Sequence, residues 1–335
     1  MNLGAKLREG LLGLIGDTPL VRIPSLSRET GCEILGKAEF LNPGGSIKDR
    51  TALGLVRGAR EGGRLRPGQL IVEGTAGNTG IGLSLVARTL GHPLLIVLPN
   101  NQSQEKIDTL RALGAELELV PPAPFASPDN YYHVARRRAE ERGGCFADQF
   151  ESTSNFDAHY GTTAEELLRD TDGRIDGFVA SAGTGGSLAG VSAKLAERAP
   201  DAQSWLIDCE GSSLYAHVNE GTLDAVGSSI IEGIGIRRIT ANFARARLRG
   251  ALRGTDAEMV KMLHFVARRD ALFVGGSAAL NCVGAVKLAR RLGPGKTIVT
   301  LLCDGAARYQ QRLLNPAWLA ERGLSTEAED LSFVA

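Results

Sequence analysis

An α/β fold with mostly parallel sheets is what this sequence predicts, on three observations. From about residue 69 onward, short apolar runs alternate with helical patterns. The runs are unbroken stretches of Val, Ile and Leu, as in strands buried on both faces, and lack the apolar–polar alternation of half-solvated strands. Glycine-rich segments stand where a run gives way to a helix. The 335 residues suit two domains or one large one and bury a sizeable core.

In order, QLIVEG (69–74) precedes the helical IGLSLVARTLG (81–91), and HPLLIVLP (92–99) precedes SQEKIDTLRALGA (103–115). GFVASA (177–182) precedes SLAGVSAKLAERA (187–199), SWLIDCEG (204–211) follows, and KTIVTLLCDG (296–305) comes near the end. The helices space apolar residues by three and four: Ile107, Leu110 and Leu113 on one, Leu188, Val191 and Leu195 on another. Gly91 and Gly114 mark helix ends. PPAPFASPDN (121–130) reads as a loop within the first half, and a weaker boundary falls near 150–160. The polar tail after about residue 320 reads as loosely ordered.

Formal net charge is zero, so no basic field is on offer to nucleic acid or to an anionic membrane. Five scattered cysteines with no C-x-x-C pair argue against a disulfide framework or a structural zinc site and for a reducing compartment. Apolar runs such as Leu94–Leu98 fall far short of the about 20 residues a membrane span needs. The N-terminal stretch, charged at Lys6, Arg8 and Glu9, does not read as a signal peptide, and a cytoplasmic protein is expected. Basic residues are lopsided, 30 Arg to 8 Lys, so each lysine is worth a look.

Three segments set small residues between a strand and a helix: Glu73–Ile81 (EGTAGNTGI), Gly183–Ser187 (GTGGS) and Gly275–Ala279 (GGSAA). Glycines let backbone N–H groups approach an anion, and the helix that follows turns its positive end toward it. Close packing of helix on strand selects glycine equally well. None of the three fits a nucleotide-binding fingerprint.

The segment Asn42-Pro43-Gly44-Gly45-Ser46-Ile47-Lys48-Asp49-Arg50 adds a fourth motif. With it, the chain resembles the β-replacement branch of fold-type II pyridoxal-phosphate (PLP) enzymes, the family of cysteine synthase (O-acetylserine sulfhydrylase) and cystathionine β-synthase. The likeness runs from Gly16-Asp17-Thr18-Pro19-Leu20 to about Tyr309, with five motifs in the family's order. It implies two three-layer α/β domains with mostly parallel central sheets and PLP in the cleft between them. Residues 42–155 would form the smaller, mobile domain, 12–41 and 156–320 the larger, and 321–335 a polar tail.

The resemblance makes Lys48 the Schiff-base lysine. A surface lysine at a helix start is the bland alternative, but a cation there opposes the helix dipole. Lysine in an apolar pocket loses its charge readily, as this role requires. The resemblance implies that Gly183, Thr184, Gly185, Gly186 and Ser187 cradle the phosphate and that Asn78 bonds the phenolic oxygen of the ring. Thr75, Ala76, Gly77 and Thr79, with Gln149, would grip the substrate carboxylate, and Gly233 belongs to a loop roofing the site. Gln149 by itself reads equally well as a solvated loop residue. Ser277 would face the pyridine nitrogen. A hydroxyl cannot hold that nitrogen protonated as a carboxylate would, so elimination at the β-carbon is favoured over racemisation and transamination. Ser277 could also cap the helix ahead of Ala278.

Departures cluster around the substrate. Ala76 replaces the family's usual serine, Arg237 and Arg238 are unusual in the roofing loop, and Cys303–Tyr309 (CDGAARY) stands for the usual P-S-x-G-E-R-Y. The function implied is L-cysteine formation from O-acetylserine, or a similar activated serine, and sulfide or a thiol, through an α-aminoacrylate. The alternative is an L-cysteine desulfhydrase, and behind both stands a catalytically idle homologue that binds a partner peptide. The family implies a homodimer.

Overall fold

The computed structural model describes Arg8 and residues 10–75, 77–102 and 104–335. The chain forms two compact units. The first takes the described residues up to Thr18 together with Leu41–Asp148, and the second takes Pro19–Phe40 and Gln149–Ala335. Among the described residues no helix is long and apolar enough to cross a membrane.

After a 3₁₀ turn at Leu11–Leu14 in the first unit, the second unit contributes β1 (Leu20–Arg22), α1 (Pro24–Thr30) and β2 (Glu33–Lys37). The first unit follows with α2 (Lys48–Glu61), β3 (Ile71–Gly74), α3 (Asn78–Thr89), β4 (Leu94–Pro99), α4 (Gln104–Ala112), β5 (Glu116–Val120), α5 (Tyr131–Glu141) and β6 (Cys145–Phe146). The chain then completes the second unit. Its elements are α6 (Ser154–Ala158), α7 (Ala164–Asp170), β7 (Gly177–Ala180), α8 (Gly186–Arg198), β8 (Gln203–Cys209), α9 (Leu214–Glu220), β9 (Gly250–Gly254), α10 (Asp256–Asp270), α11 (Gly276–Leu292), β10 (Thr297–Leu301) and α12 (Pro316–Ala320).

In the first unit the four strands run in the order β5-β4-β3-β6, all parallel. Every residue of β4 and β3 is buried, as the unbroken apolar run of β4 requires, and β3 buries Glu73 as well. Helices α2 and α3 pack against each other through Gly82, where a Cβ would stand 2.9 Å from the Lys48 carbonyl oxygen. The polar loop ahead of α5 ends in a cap: the Asn130 side chain accepts the Tyr132 N–H at 3.0 Å.

The second unit has a six-stranded sheet in the order β1-β2-β10-β7-β8-β9, parallel except for β1. Helix α11 lies tightly on this sheet, because Gly284 lets Ile207 come so close that a Cβ would meet its Cβ at 2.8 Å. Fully buried Leu280, Val283, Val286 and Leu288 line the same helix, each worth about 1.5–3 kcal/mol of apolar burial.

Several elements depart from the sequence reading. Strand β5 went unread because it alternates: Glu116 and Glu118 face outward to Arg142 and Arg138. The glycine segment at 275–279 follows no strand, since Val274 makes only a single-residue bridge to Gly305. Residues 12–18 fall with the first unit, where Leu12 and Ile15 pack on its core. The segment 321–335 is not a loose tail. Leu331 and Val334 are each 2% exposed in the core of the second unit, and Arg290 donates to both of their carbonyls.

Candidate active site

The site residues named above fall into two groups, one in each unit. In the first unit, Lys48 is the opening residue of α2 and is half-buried. The segment before it is braced from within. The Gly45 N–H donates to the Asn42 carbonyl at 2.7 Å, the Gly44 N–H to Asp49 Oδ2 at 2.5 Å, and Asn42 Oδ1 accepts the Gly16 N–H at 2.8 Å. A side chain at 44 would displace the Asp49 carboxylate, because a Cβ would sit 2.4 Å from Asp49 Oδ1. The motif around Lys48 therefore fixes the start of α2, and the approach at Gly82 sets that start beside α3.

Thr75 and Thr79 are buried, and Thr75 Oγ1 accepts the Gly77 N–H at 3.2 Å. Asn78 opens α3, half-buried, with Gly77 as the residue before the helix. Ala76 lies outside the described residues. One neighbour escaped the sequence reading: Lys106, 4% exposed on α4, lays its side chain along Gly77.

In the second unit, α8 begins at Gly186, and Gly185 ahead of it takes φ 87° with no side-chain cap. The first N–H groups of α8 therefore have no capping side chain and form the positive end of the helix dipole. Three glycines are demanded by contact. A Cβ on Gly183 would stand 2.3 Å from the Gly233 carbonyl oxygen, on Gly185 2.7 Å from the Phe243 backbone nitrogen, and on Gly186 2.2 Å from Asn155 Oδ1. Thr184 Oγ1 accepts from Asn155 Nδ2 at 2.9 Å, so its own hydrogen points elsewhere and can donate. Ser187 is half-buried on the first turn of α8.

Ser277 is buried in the first turn of α11 and makes no side-chain hydrogen bond among the described residues; the cap position belongs to Gly275, so Ser277 is not the cap. Ser181, at the end of β7, also has a buried hydroxyl without a partner. Asn281, one turn along α11 from Ser277, accepts the Ser181 N–H at 2.7 Å and donates to the Leu301 carbonyl at 2.7 Å. This amide fixes the ends of β7 and β10 against α11.

Gln149 is no solvated loop residue: it is 4% exposed. Its carbonyl accepts from Asn155 Nδ2 at 2.9 Å and from Asn242 Nδ2 at 3.2 Å. The arginines of the roofing segment hold backbone and an acid. Arg237 Nε donates to the Gly211 carbonyl at 2.9 Å, while Arg238 pairs with Glu151 and stacks over Phe150. Gly233, at φ 79°, is exposed.

Three buried cysteines are poor nucleophiles. Burial pushes the thiols of Cys209 and Cys282 up to about 12, with Asp208 adding to the first and Asp270 to the second, and burial raises Cys145 as well. Burial, then the charge of Asp304, holds the Tyr309 phenol well above its ordinary value, and Tyr309 donates to Asp304 Oδ2 at 2.6 Å. Lys37, fully buried, is spent on Glu166 and Asp170 at 2.9 and 2.8 Å.

The donor set suits a phosphate on a flat heteroaromatic ring. The helix start and the Thr184 hydroxyl suit the phosphate, and the two buried hydroxyls of Ser181 and Ser277 suit polar atoms of a ring. A family model described as pyridoxal-phosphate dependent enzyme matches residues 11–304. The molecule is thus a PLP enzyme, built on the fold-type II plan. A cysteine synthase of Dictyostelium discoideum is 47% identical over 98% of this chain and 90% of the relative. The solved O-acetylserine dependent cystathionine β-synthase of Helicobacter pylori has a TM-score of 0.82 at 31% identity, covering 91% of this chain and 98% of that one. A hydrogen sulfide-producing enzyme of Fusobacterium nucleatum also reaches 0.82 at 31% identity, over 92% and 99%. The chain belongs to the cysteine synthase and cystathionine β-synthase family.

Proposed function

We propose that this enzyme makes L-cysteine from O-acetylserine, or a similarly activated serine, and sulfide. The observation that carries the reading is 47% identity to a cysteine synthase across nearly the whole chain, together with Lys48, Asn78, Ser277 and the Gly183–Ser187 loop all standing in the family's order.

Bound PLP supplies an electron sink for the negative charge that develops at the substrate α-carbon. Lys48 Nζ carries the cofactor at rest, takes the α-proton as general base, and returns it after sulfide has added to the β-carbon. The β-acetate departs between these two proton movements. Gly183–Ser187 hold the phosphate with backbone N–H groups and the hydroxyls of Thr184 and Ser187. Asn78 bonds the phenolic oxygen. Thr75, Ala76, Gly77 and Thr79, with Gln149, bind the substrate carboxylate, and Gly233 closes over it. Ser277 would meet the ring nitrogen with a neutral hydroxyl, which does not hold that nitrogen protonated as a carboxylate would and so favours chemistry at the β-carbon. Five free cysteines favour the cytoplasm, and the family resemblance favours a homodimer.

A second reading, cysteine breakdown to pyruvate, ammonia and sulfide, is favoured by the likeness to a hydrogen sulfide-producing enzyme and by Ala76, which has one hydroxyl fewer than the family's serine. The purified protein with O-acetylserine and sulfide is expected to form cysteine faster than it releases sulfide and pyruvate from L-cysteine alone. Rapid release from L-cysteine with negligible synthesis would replace the first reading by the second.

A further inference from the structure

We propose that Asn155 is a positioning residue that couples the substrate-carboxylate grip to the phosphate cradle, so that a carboxylate bound near Gln149 is felt at the cofactor phosphate. The inference rests on the reading of Gly183–Ser187 as the cradle and of Gln149 as part of the grip.

Asn155 is fully buried. Its amide nitrogen has two hydrogens, and the two acceptors it reaches lie on opposite sides of the question. One is the Gln149 carbonyl at 2.9 Å, the other Thr184 Oγ1 at 2.9 Å. The remaining face of the amide lies against Gly186, the first residue of α8, where any Cβ would strike Oδ1. With its amide hydrogens committed to both acceptors, the amide cannot follow a movement of the Gln149 backbone without disturbing its bond to the Thr184 hydroxyl.

The surroundings keep that movement from dissipating elsewhere. Asn242, also fully buried, donates to the carbonyls of Gln149, Phe150 and Ser152 at 3.2, 2.7 and 3.1 Å, and its Oδ1 accepts the Phe156 N–H at 3.0 Å. Glu151 takes the Ala241 N–H at 2.8 Å, and Thr240 donates to the Thr184 carbonyl at 2.7 Å. The turn at 149–152 and the cradle are thus two ends of one buried polar network, in which removing a member disturbs its neighbours. Coupling between sites commonly amounts to about 5–150-fold in affinity.

The test is phosphorus NMR of the holoenzyme with L-alanine, which lacks a β-leaving group, and with ethylamine, which has no carboxylate. In the wild type, L-alanine is expected to shift the bound phosphate resonance and ethylamine to leave it nearly in place. In Asn155→Ala the shift caused by L-alanine should fall to that of ethylamine, while the response to ethylamine stays as in the wild type. If Asn155→Ala does not fold, Thr184→Val removes the other end of the bridge at similar shape and should give the same loss. A full carboxylate-dependent shift in either variant, or equal shifts from the two ligands in the wild type, would overturn the coupling while leaving the cradle reading intact. Absence of any bound phosphate resonance in the wild type would overturn the cradle reading and the coupling with it.

Discussion

The two glycine-rich turns that open α3 and α8 look alike in sequence but are built differently. At Gly77 the space a Cβ would need is taken by Lys106 Cδ at 2.9 Å, a mid-chain atom of a flexible side chain. At Gly185 it is taken by Phe243, whose Cα and backbone nitrogen would both stand 2.7 Å away. Phe243 cannot retreat easily, because its N–H is held by Thr240 Oγ1 at 3.0 Å and Asn242 beside it grips three carbonyls. One turn is walled by backbone and the other by a buried lysine side chain. This difference suits a fixed phosphate that never leaves and a carboxylate that comes and goes at every turnover.

Lys48 sets the scale against which both turns are judged. Lys48→Ala should lower turnover by about 10²–10⁴-fold or more, as loss of a general base does, and should abolish the covalent attachment of PLP that borohydride traps. A variant that keeps trapping and wild-type turnover would remove Lys48 from the site. Next in size is Gly185→Val. Strain at φ 87° costs about 1–3 kcal/mol, and overpacking against Phe243 about 1–3 more. Even the lower sum, about 2 kcal/mol, corresponds to roughly a 30-fold weakening of PLP binding. Dialysis followed by absorbance of retained cofactor measures it, and unchanged retention would contradict a backbone-walled cradle.

Smaller still is Ser277→Ala. A neutral hydrogen bond is worth about 0.5–1.5 kcal/mol net, so PLP affinity should fall by roughly 2–10-fold. A titration of the apoprotein showing no change would detach Ser277 from the ring.

How much of this was legible follows from what each residue does. Lys48 and its neighbours were readable because the segment 42–50 braces itself through contacts only a few residues apart. Strands β3 and β4 were readable because burial on both faces leaves an unbroken apolar run. The short β1, two of its three residues only half-buried, left no such trace. Asn155 and Asn242 were invisible for a different reason. In a sequence they are polar residues of ordinary turns, and their role comes from partners far along the chain, as between Phe156 and Asn242. Ser181 likewise carries no local signal; only burial without a partner marks it. Contacts within a segment can be read from its letters, whereas a polar network closed by tertiary packing cannot.

The most discriminating test of the comparison is Gly77→Ala. Lys106 must move aside to admit the methyl group at about 0.5–1.5 kcal/mol for turning a buried side chain off its preferred rotamer, and the backbone at φ 158°, ψ −94° adds about 1–3 kcal/mol of strain that only glycine escapes. Because Lys106 is a cation lying along the turn proposed to bind carboxylate, its displacement should register in amino-acid binding and leave the cofactor alone. The expected outcome is a raised KM for O-acetylserine. PLP retention and kcat should remain close to the wild type. Placing the same methyl group at Gly185 makes the control, since there the loss should fall on PLP retention. If Gly77→Ala sheds cofactor as readily as Gly185→Ala does, the turns do not divide the labour between carboxylate and phosphate. A raised KM with full cofactor in the first variant, and cofactor loss in the second, would assign each turn its ligand by a single carbon atom.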